Sequence, residues 1–514
     1  MKSQIMMATS VLAYTLLGAD YVLSRSDDQN NLAKNSFETA GNWVLASDSS
    51  VAAESGPSAG NTYTVPSGRE LRTAADGSAT RRFGGDRLTV EGRLTVHFPT
   101  GTEVAIDDLV VRNGVVAGRN AGVTHTLCGA LTVPEGASCE LIHWDNNGYV
   151  CTWNVNSDVT GTGLLRLTGR APSGSKRNFN FGGDNSGFRG KLDFFGASSI
   201  SFQSATAMFA APEAATADWM TLNGCTLRYA YDHRIGANGG VCIDDQTDEN
   251  RISQPGARIE VAAERAVVFE GPLSGAGTLT KNGKGKLAFL GGNVGFTGEI
   301  VVNEGSVELG AGGEYDAYVL RPNVTHVFSQ AHPTVAGALV AAGGTFVVDM
   351  TDYDPAKGAP ITIGALAGDC GVIRVDCTNY GELQVGTAYA LLTGPSSVVL
   401  TAFDDRRFAT GDLIGYRLSA TDSGDGQATV YMTPQERLPE WIMSATDTSN
   451  ADNSFTTKGN WVLKSDPTVA ATEAPHGGNV YIVPSGMNIR TPDQDGTDHE
   501  FGASPPKLNA KVQK

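Results

Sequence analysis

The sequence contains few charged residues, and basic residues are the minority among them. Charged residues occupy 18% of the 514 positions, and 38 Lys and Arg stand against 55 Asp and Glu, which gives a formal net charge of −17. Binding of nucleic-acid phosphates requires clustered basic side chains. The composition therefore argues against a nucleic-acid partner, and the acidity fits a long, soluble surface.

The short motifs of common metal and redox sites are also missing. No CxxC pair occurs among the seven cysteines, which argues against a zinc knuckle or a thioredoxin-like site. The candidate histidines lack HxxxH or HxxE spacing, so we predict no metal centre and no cofactor. The residues concerned are Cys128, Cys139, Cys151, Cys225, Cys242, Cys370 and Cys377, and His125, His143, His233, His326, His332 and His476.

Two of the cysteines allow more than one interpretation. Cys370 and Cys377 flank the sequence GVIRVD and could form a disulfide between adjacent turns. The alternative is that both are small buried apolar residues.

No long amphipathic helical segment follows the first twenty residues, whereas glycine is abundant. The chain has 63 Gly but only 21 Pro, a balance that favours many tight turns over proline-rich disorder. Short runs with alternating apolar residues recur about every 8–12 residues, which is typical of sandwiches, barrels or solenoids. The composition and the pattern together predict an all-β protein.

The N-terminal sequence MKSQIMMATSVLAYTLLGA predicts a signal peptide over residues 1–19. Its apolar run is too short to span a membrane comfortably, and no second hydrophobic segment follows. We therefore expect export, a secreted or outer cell-surface location, and no transmembrane segment in the mature chain.

A long-range repeat predicts the domain limits. Residues Asn35–Gly84 align with Asn453–Gly502 without a gap, and 26 of the 50 positions are identical. We predict a signal peptide at 1–19, an N-terminal segment and β-helix coils at 20–344, and a β-rich closing region at 345–433. A linker at 434–452 and a truncated second copy of the module start at 453–514 follow, and the tail after Ser504 is expected to lack the next strand pair.

A glycine-punctuated stretch, Val268–Gly310, predicts a repeated supersecondary unit. Gly-X-Gly-X-Leu at Gly275–Leu279 is followed by a Gly-Phe-X-Gly core, and a weaker copy lies at Gly161–Leu165 and Gly182–Phe194. Two such copies suggest stacked coils that bury their apolar faces against one another.

The motif in Gly275–Gly310 resembles the autotransporter-associated β-strand repeat. The matching positions are Gly275, Gly277, Leu279, Thr280, Lys281, Gly283, Gly285, Leu287, Gly291, Asn293, Phe296, Gly298, Val302, Gly305, Val307 and Leu309. The resemblance implies a right-handed parallel β-helix exported to the cell surface. The sequence departs from the family pattern in one respect, since we expect a passenger-like protein without the β-barrel translocator that ends an autotransporter. A β-helix of about 18–20 coils, spaced ~4.8 Å apart, would be ~90 Å long. A string of antiparallel β-sandwiches is the alternative fold.

Three acidic pairs are the candidates for chemistry. Asp107-Asp108, Asp244-Asp245 and Asp404-Asp405, the last followed by Arg406-Arg407, could act as general acid and base or hold Ca²⁺. The alternative is that they are ordinary acidic surface turns. Likewise, the aromatic residues of His143–Trp153 could stack on sugar rings, or they could belong to the core or a turn.

None of these residues lies in a recognisable catalytic motif, so we assign no catalytic, cofactor-binding or metal-binding residue. We expect a secreted or surface-exposed structural, adhesin-like protein that is not an enzyme. Its expected partners are carbohydrate or host and cell-surface components. A polysaccharide lyase or glycoside hydrolase on a β-helix scaffold is the alternative.

Overall fold

The structure is a computed structural model that describes most of the chain between residues 18 and 508. The described residues are 18–24, 37–73, 80–97, 102–119, 122–143, 149–169, 176–247, 256–293, 295–310, 312–369, 371–379, 383–405, 407–410, 416–435, 440–444, 458–472, 480–483 and 507–508. The predicted signal peptide lies almost wholly outside these ranges.

The chain winds into a parallel β-helix, the fold predicted from the sequence, and this helix has about 11 turns. Its N-terminal coils form two sheets, in which successive strands pair with strands one coil earlier and later. Sheet 1 contains Asp20–Leu23, Trp43–Leu45, Thr62–Val65, Thr80–Arg82, Arg87–Val90, Thr102–Val111, Thr124–Val133, Val150–Val155, Asp158–Gly161, Lys176–Phe181, Ser199–Phe202, Cys225–Tyr229, Ala257–Val261, Leu279–Asn282 and Ile300–Val302. Sheet 2 contains Glu70–Arg72, Arg93–His97, Gly114–Arg119, Ser138–His143, Leu164–Thr168, Lys191–Phe195, Thr216–Asn223, Gly239–Ile243 and Leu273–Ser274.

Two further sheets continue the coils. Sheet 3 contains His233–Ile235, Ala266–Phe269, Lys286–Phe289, Ser306–Gly310, Thr325–Ser329, Thr345–Asp349, Ile373–Thr378 and Phe408–Thr410. Sheet 4 contains Gly313–Leu320, Thr334–Ala341, Ile361–Ile363, Leu366–Ala367, Tyr389–Pro395, Tyr416–Asp422 and Gln427–Pro434. The strands of sheet 4 after residue 388 pair antiparallel with one another, and Tyr389–Pro395 also pairs parallel with Ile361–Ile363. The α-helix Ser396–Asp404 lies between these strands in sequence. The predicted start of a closing region at 345 falls within continuing parallel pairing, and the closing region stays a prediction.

Parallel pairing excludes the alternative of antiparallel sandwiches for these coils. The physical basis is a set of inward rows, in which apolar side chains on equivalent strand positions stack coil upon coil. One row of sheet 2, in register and fully buried, consists of Leu71, Leu94, Val116, Leu141, Leu167, Phe194, Leu222 and Ile243. The residues that alternate with these positions include charged ones such as Arg166 and Asp193 and buried polar ones such as Thr168 and Asn223.

The helix has fewer coils than we expected from the sequence. Paired residues one coil apart, such as Thr124 with Thr152 and Thr152 with Asn178, are separated by 28 and 26 residues. The expected 18–20 coils assumed shorter turns between strands. With about 11 turns, the stack is ~50 Å long at ~4.8 Å per coil.

The two Gly-Phe copies adopt the same local structure. Gly161 forms an isolated parallel bridge with Phe188, and Gly275 forms the same bridge with Phe296. Both glycines have a positive φ, 107° and 97°, which L-residues rarely adopt. The repeat predicted from sequence is therefore also a structural repeat.

A buried asparagine completes each copy. The Asn185 carbonyl accepts the N–H of Phe188 and the Asn293 carbonyl accepts the N–H of Phe296, both at 3.0 Å. The amide of Asn185 donates to the Ala207 carbonyl and that of Asn293 to the Val319 carbonyl. Each asparagine thus ties its own turn to a later segment.

Lys281 is the charged residue of the repeat motif, and it occupies an inward position of the β-helix. It lies in register between Ile259 and Val302, and its side chain is fully buried. Its Nζ donates to the carbonyl oxygens of Asn282 at 2.7 Å, Gly283 at 2.6 Å and Glu304 at 3.2 Å. The ammonium group therefore satisfies three turn carbonyls that the lateral strand pairing leaves available.

The two copies of the long-range repeat share one packing. The rings of Trp43 and Tyr63 lie 4.9 Å apart at 75°, and those of Trp461 and Tyr481 lie 4.9 Å apart at 76°. The 3₁₀-helices Ala40–Asn42 and Lys458–Asn460 precede the two tryptophans. Residues 35–36 and 453–457 lie outside the described ranges.

The second copy also extends one strand further than we expected. Its sheet 5 contains Glu440–Met443, Trp461–Leu463, Asp466–Ala470, Val480–Val483 and Lys507–Leu508. Ile482 pairs with Lys507 as Thr64 pairs with Thr89 in the first copy. The tail therefore contributes a short strand that the sequence alignment did not predict, because prolines precede it. The predicted domain limits stay predictions.

Among the described residues, no helix is both long and apolar enough to cross a membrane.

Replacing Lys281 with Met should destabilise the helix, because three turn carbonyls lose their donor. We expect the free energy of unfolding in urea to fall by about 2–3 kcal/mol, at roughly 1 kcal/mol per hydrogen bond. Lys284→Met, at an exposed position of the same turn, is the matched control and should change stability by less than about 0.5 kcal/mol. Equal effects of the two substitutions would contradict this role of Lys281.

Candidate functional site

One recess among the described residues is a groove on the outer face of sheet 2. It crosses the neighbouring strands Leu164–Thr168, Lys191–Phe195, Thr216–Asn223 and Gly239–Ile243. Its volume of about 460 Å³ falls within the range of ~300–1,000 Å³ usual for ligand sites. The lining residues are Leu164, Arg166, Thr168, Lys191, Leu192, Asp193, Phe195, Asp218, Thr221, Asp244 and Gln246.

Strand register brings the polar residues of the groove together. Arg166 pairs with Asp193 and Asp193 with Thr221, so these outward side chains stand one above another on successive coils. A shift in register between Thr216 and Met220 interrupts the pairing of this strand with the next coil. Asp218 lies within the shifted segment, and its carboxylate contacts Lys191 on the preceding coil.

Ion pairs between coils hold the cations of the groove. Arg166 Nε lies 2.7 Å from Asp193 Oδ2, and Lys191 Nζ lies 2.8 Å from Asp218 Oδ1. The hydrogen bond from Lys191 lowers the pKa of Asp218 and outweighs the opposing effect of burial. Because these pairs are partly exposed, each contributes only about 0–1 kcal/mol to stability. Their main effect is to fix the positions of the four side chains.

The other end of the groove has hydrogen-bonding groups without side-chain partners among the described residues. The carboxylate of Asp244 accepts only the backbone N–H of Gln246, at 3.1 Å. Neither the Thr221 hydroxyl nor the Gln246 side-chain amide forms a hydrogen bond there. These groups therefore remain able to bind a polar ligand.

Asn223 adds a buried acceptor beside this end. Its side chain is 1% exposed, and its Nδ2 donates to the Gln246 carbonyl at 3.0 Å. Its Oδ1 is buried without a hydrogen-bond partner in the described part of the chain. Asn223 follows Thr168 and Phe195 in one strand row, and both of those residues line the groove. Buried polar atoms usually have hydrogen-bond partners, so this acceptor is an exception, and Asn223 itself is not among the residues that line the groove.

The groove is the centre of a longer polar row. The row runs in register over nine strands of sheet 2 through Glu70, Arg93, Val115, Glu140, Arg166, Asp193, Thr221, Cys242 and Ser274. A second recess of about 340 Å³ lies near its start and includes Glu70, Arg93 and Val115. The same face thus presents polar side chains over ~40 Å at ~4.8 Å per strand.

Of the three predicted acidic pairs, only one reaches the groove. Asp244 lines it, and the neighbouring Asp245 is exposed. Asp107 lies 2.6 Å from Arg82, and Asp108 lies 2.6 Å from Arg87 on sheet 1. These two carboxylates are ion-pair partners between coils rather than members of one site.

The third acidic pair stands apart from both recesses. Asp404 ends the α-helix and Asp405 follows it, and both side chains are exposed. Arg406 lies outside the described residues, and the backbone N–H of Arg407 donates to the Ala402 carbonyl.

The candidate histidines are dispersed, and two of them meet in the core. His125 and His143 are fully buried with ring centroids 5.5 Å apart, and His125 lies 5.2 Å from Trp153. Burial lowers the pKa of His125 to about 4, against a smaller opposite effect of the Arg119 backbone, and the charge of His97 lowers it further. Burial likewise lowers the pKa of His143, with added effects of His125 and Arg177.

The other histidines occupy separate positions. Burial lowers the pKa of His233 to about 4 and that of His326 to about 3. His326 is held by its Nε2, which accepts the N–H of Arg321 at 2.7 Å. His332 is exposed, and His476 lies outside the described residues.

The aromatic segment His143–Trp153 lies partly in the core. Trp153 is fully buried, and its Nε1 donates to the Ile142 carbonyl at 3.2 Å. Tyr149 is 55% exposed, and residues 144–148 lie outside the described ranges. The described aromatics therefore do not form a sugar-stacking platform with one another.

Five of the described cysteines are free thiols, namely Cys128, Cys139, Cys225, Cys242 and Cys377. Cys139, Cys151, Cys225 and Cys377 are buried, whereas Cys128 and Cys242 are partly exposed. Burial raises the pKa of Cys225 and of Cys377 to about 12. Cys377 is therefore a small buried apolar residue as one interpretation had it, and its neighbour Cys370 lies outside the described residues.

Within the described ranges, no three or more His, Cys, Asp or Glu side chains form a group that could hold a metal ion.

The groove itself was not predicted from the sequence. Arg166, Asp193 and Asp218 belong to no motif, and they meet because coils of different length stack in one register. The sequence signal that could have identified them is a charged residue at an alternating position of each successive strand.

Comparison with known proteins adds no name to this site. A scan against models of protein families finds no match, and a search of curated proteins finds none either. The class is therefore defined by the fold: a parallel β-helix of about 11 turns with polar recesses on one outer face.

The buried His125 predicts a loss of stability in acid. Its folded pKa is about 4 and its unfolded pKa about 6.5, so the unfolded chain binds more protons between these values. The free energy of unfolding should therefore fall as pH decreases from 6.5 to 4, by about 2–3 kcal/mol from this residue.

Urea unfolding at pH 7 and pH 4.5 measures this effect. His125→Phe should show a smaller decrease between the two pH values than the wild type, and the exposed control His332→Phe should show the wild-type decrease. The same pH dependence in all three proteins would contradict a buried neutral His125.

Proposed function

We propose that this protein is a secreted or surface-exposed β-helical structural protein, adhesin-like in role, and that it is not an enzyme. The observation that carries the proposal is the pairing of both groove cations with carboxylates on the next coil. A groove organised in this way holds its two cations and their two carboxylate partners in fixed, neutral pairs. Such an arrangement favours recognition of a ligand over catalysis by proton transfer.

The protonation state of the groove supports this proposal. A general acid for glycoside hydrolysis requires a carboxyl group with a raised pKa. The pKa of Asp218 is lowered by Lys191, so its carboxylate is held in the ionised form. Lys191 is engaged by the same carboxylate and is a poor candidate for the base of a lyase.

Export and display are further parts of the proposal. They rest on the N-terminal apolar segment and on the resemblance of Gly275–Gly310 to the autotransporter-associated β-strand repeat. The matching packing of Phe188 and Phe296 against Gly161 and Gly275 supports a shared coil motif. On this proposal the β-helix is a passenger-like scaffold that presents its outer faces at the cell surface.

A polysaccharide-active enzyme is the second candidate, and one observation favours it. Asp193, Asp218 and Asp244 lie in one groove with Arg166 and Lys191, on neighbouring coils. Carboxylates and basic residues on one face of a β-helix can supply acid–base chemistry to a bound polymer.

Incubation with soluble acidic and neutral polysaccharides separates the two candidates. We expect no increase in reducing ends and no unsaturated products, because Asp193 and Asp218, the carboxylates next to the groove cations, are ion-paired. Product formation by the wild type that is abolished in Asp218→Asn, but kept in the sheet 1 variant Asp107→Asn, would establish the enzyme instead.

Expression in a bacterium tests the proposed export. Expressed with its natural N-terminus in a bacterium, the protein should reach the medium or the outer surface with Asp20 as its first residue. Edman sequencing of the exported protein measures this directly. A protein that keeps Met1 and stays in the cytosol would contradict the secreted location.

A further inference from the structure

We propose that the groove on sheet 2 binds an uncharged polysaccharide, which lies as an extended chain across the strands and along the helix axis. This inference rests on the proposed function, binding without catalysis at an exposed face, and it names the class of ligand. The argument draws on charge, available hydrogen-bonding groups and the shape of the face.

The charges of the groove disfavour a polyanion. Arg166 and Lys191 supply two positive charges, and Asp193, Asp218 and Asp244 supply three negative ones, which leaves a net charge of −1. Both cations are already paired with carboxylates at 2.7–2.8 Å. An acidic polymer would have to displace these carboxylates and would meet the field of a chain with net charge −17.

The polar groups of the groove that are not ion-paired are those that form hydrogen bonds with hydroxyl and amide groups. Thr221 offers a hydroxyl, Gln246 a side-chain amide and Asp244 a carboxylate oxygen, and none of these has another side-chain partner among the described residues. A polyol has both donors and acceptors along its length, and it can pair with all of these groups at once.

A protein partner fits the groove less well. The groove lies on the face of a sheet whose backbone is paired on both sides, so it offers no edge for an added strand. Protein interfaces also depend on buried aromatic and aliphatic anchors. In the groove the larger apolar side chains are Leu164, Leu192 and Phe195, and Leu192 is 1% exposed.

The stacking of coils gives the ligand its direction. Thr221 and Asp244 lie on adjacent strands, and Arg166 and Asp193 lie on the two strands before them. These four coils cover ~14 Å along the axis at ~4.8 Å per coil. The polar row continues beyond the groove to Glu70 and Arg93 at the second recess, so that a longer chain can follow the same face.

Affinity electrophoresis with the full chain tests the ligand class. The gels contain a neutral polymer (hydroxyethylcellulose, laminarin, dextran or galactomannan) or an acidic polymer (alginate or polygalacturonate). We expect at least one neutral polymer to retard the protein, and the acidic polymers to retard it less.

Matched double variants locate the binding site. Thr221→Val with Gln246→Ala removes two groove donors and should weaken binding of the neutral polymer on the order of tenfold. Thr226→Val with Gln203→Ala makes the same chemical changes at solvent-accessible positions outside the groove and should bind as the wild type does. Circular dichroism and thermal unfolding establish that both variants are folded.

The experiment distinguishes failure of this inference from failure of the proposed function. Retardation by neutral polymer that the groove variant keeps, retardation by acidic polymers alone, or no retardation by any polymer would each overturn this inference. Adhesion of the wild type to cell surfaces in those cases would leave the proposed function intact. Release of reducing ends or unsaturated products in the same mixtures would instead overturn the proposed function.

Discussion

Lateral stacking of equivalent residues is the constraint on which the whole structure depends. Each coil places its inward side chains directly against those of the coils before and after it, ~4.8 Å away. An apolar residue in such a row gains two similar neighbours, whereas a polar one must find a hydrogen-bond partner in a nearby turn. Lys281 does so through three turn carbonyls, and His125 remains neutral because burial lowers its pKa to about 4.

The same register organises the outer surface. Because outward residues also stack, charges of opposite sign on successive coils form ion pairs, as in Arg166 with Asp193 and Arg87 with Asp108. A groove forms where the register shifts near Asp218, since the strand there no longer matches its neighbour residue by residue. Packing inside the helix thereby determines where a groove forms on its outer face.

Part of this arrangement could be predicted from the sequence, because local rules apply to it. The Gly-Phe element was recognisable at Gly275–Gly310, since a positive φ at Gly275 and Gly283 restricts those corners to glycine. The number of coils was not predictable, because turns of very different length separate paired residues: 28 residues from Thr124 to Thr152 but 22 from Arg258 to Thr280. The groove was missed for the same reason, since its residues come from four coils and adopt their register only after stacking.

The register of the coils can be tested most directly with disulfide cross-links between engineered cysteines. Asn154 and Asn180 are paired on adjacent coils, at a spacing of ~4.8 Å that a disulfide can span. The account predicts that Asn154→Cys with Asn180→Cys gives the cross-linked peptide by mass spectrometry under mild oxidation. It predicts none for Asn154→Cys with Ser201→Cys, which lie two coils apart. Efficient cross-linking of the second pair, or none of the first, would contradict the stacked parallel β-helix.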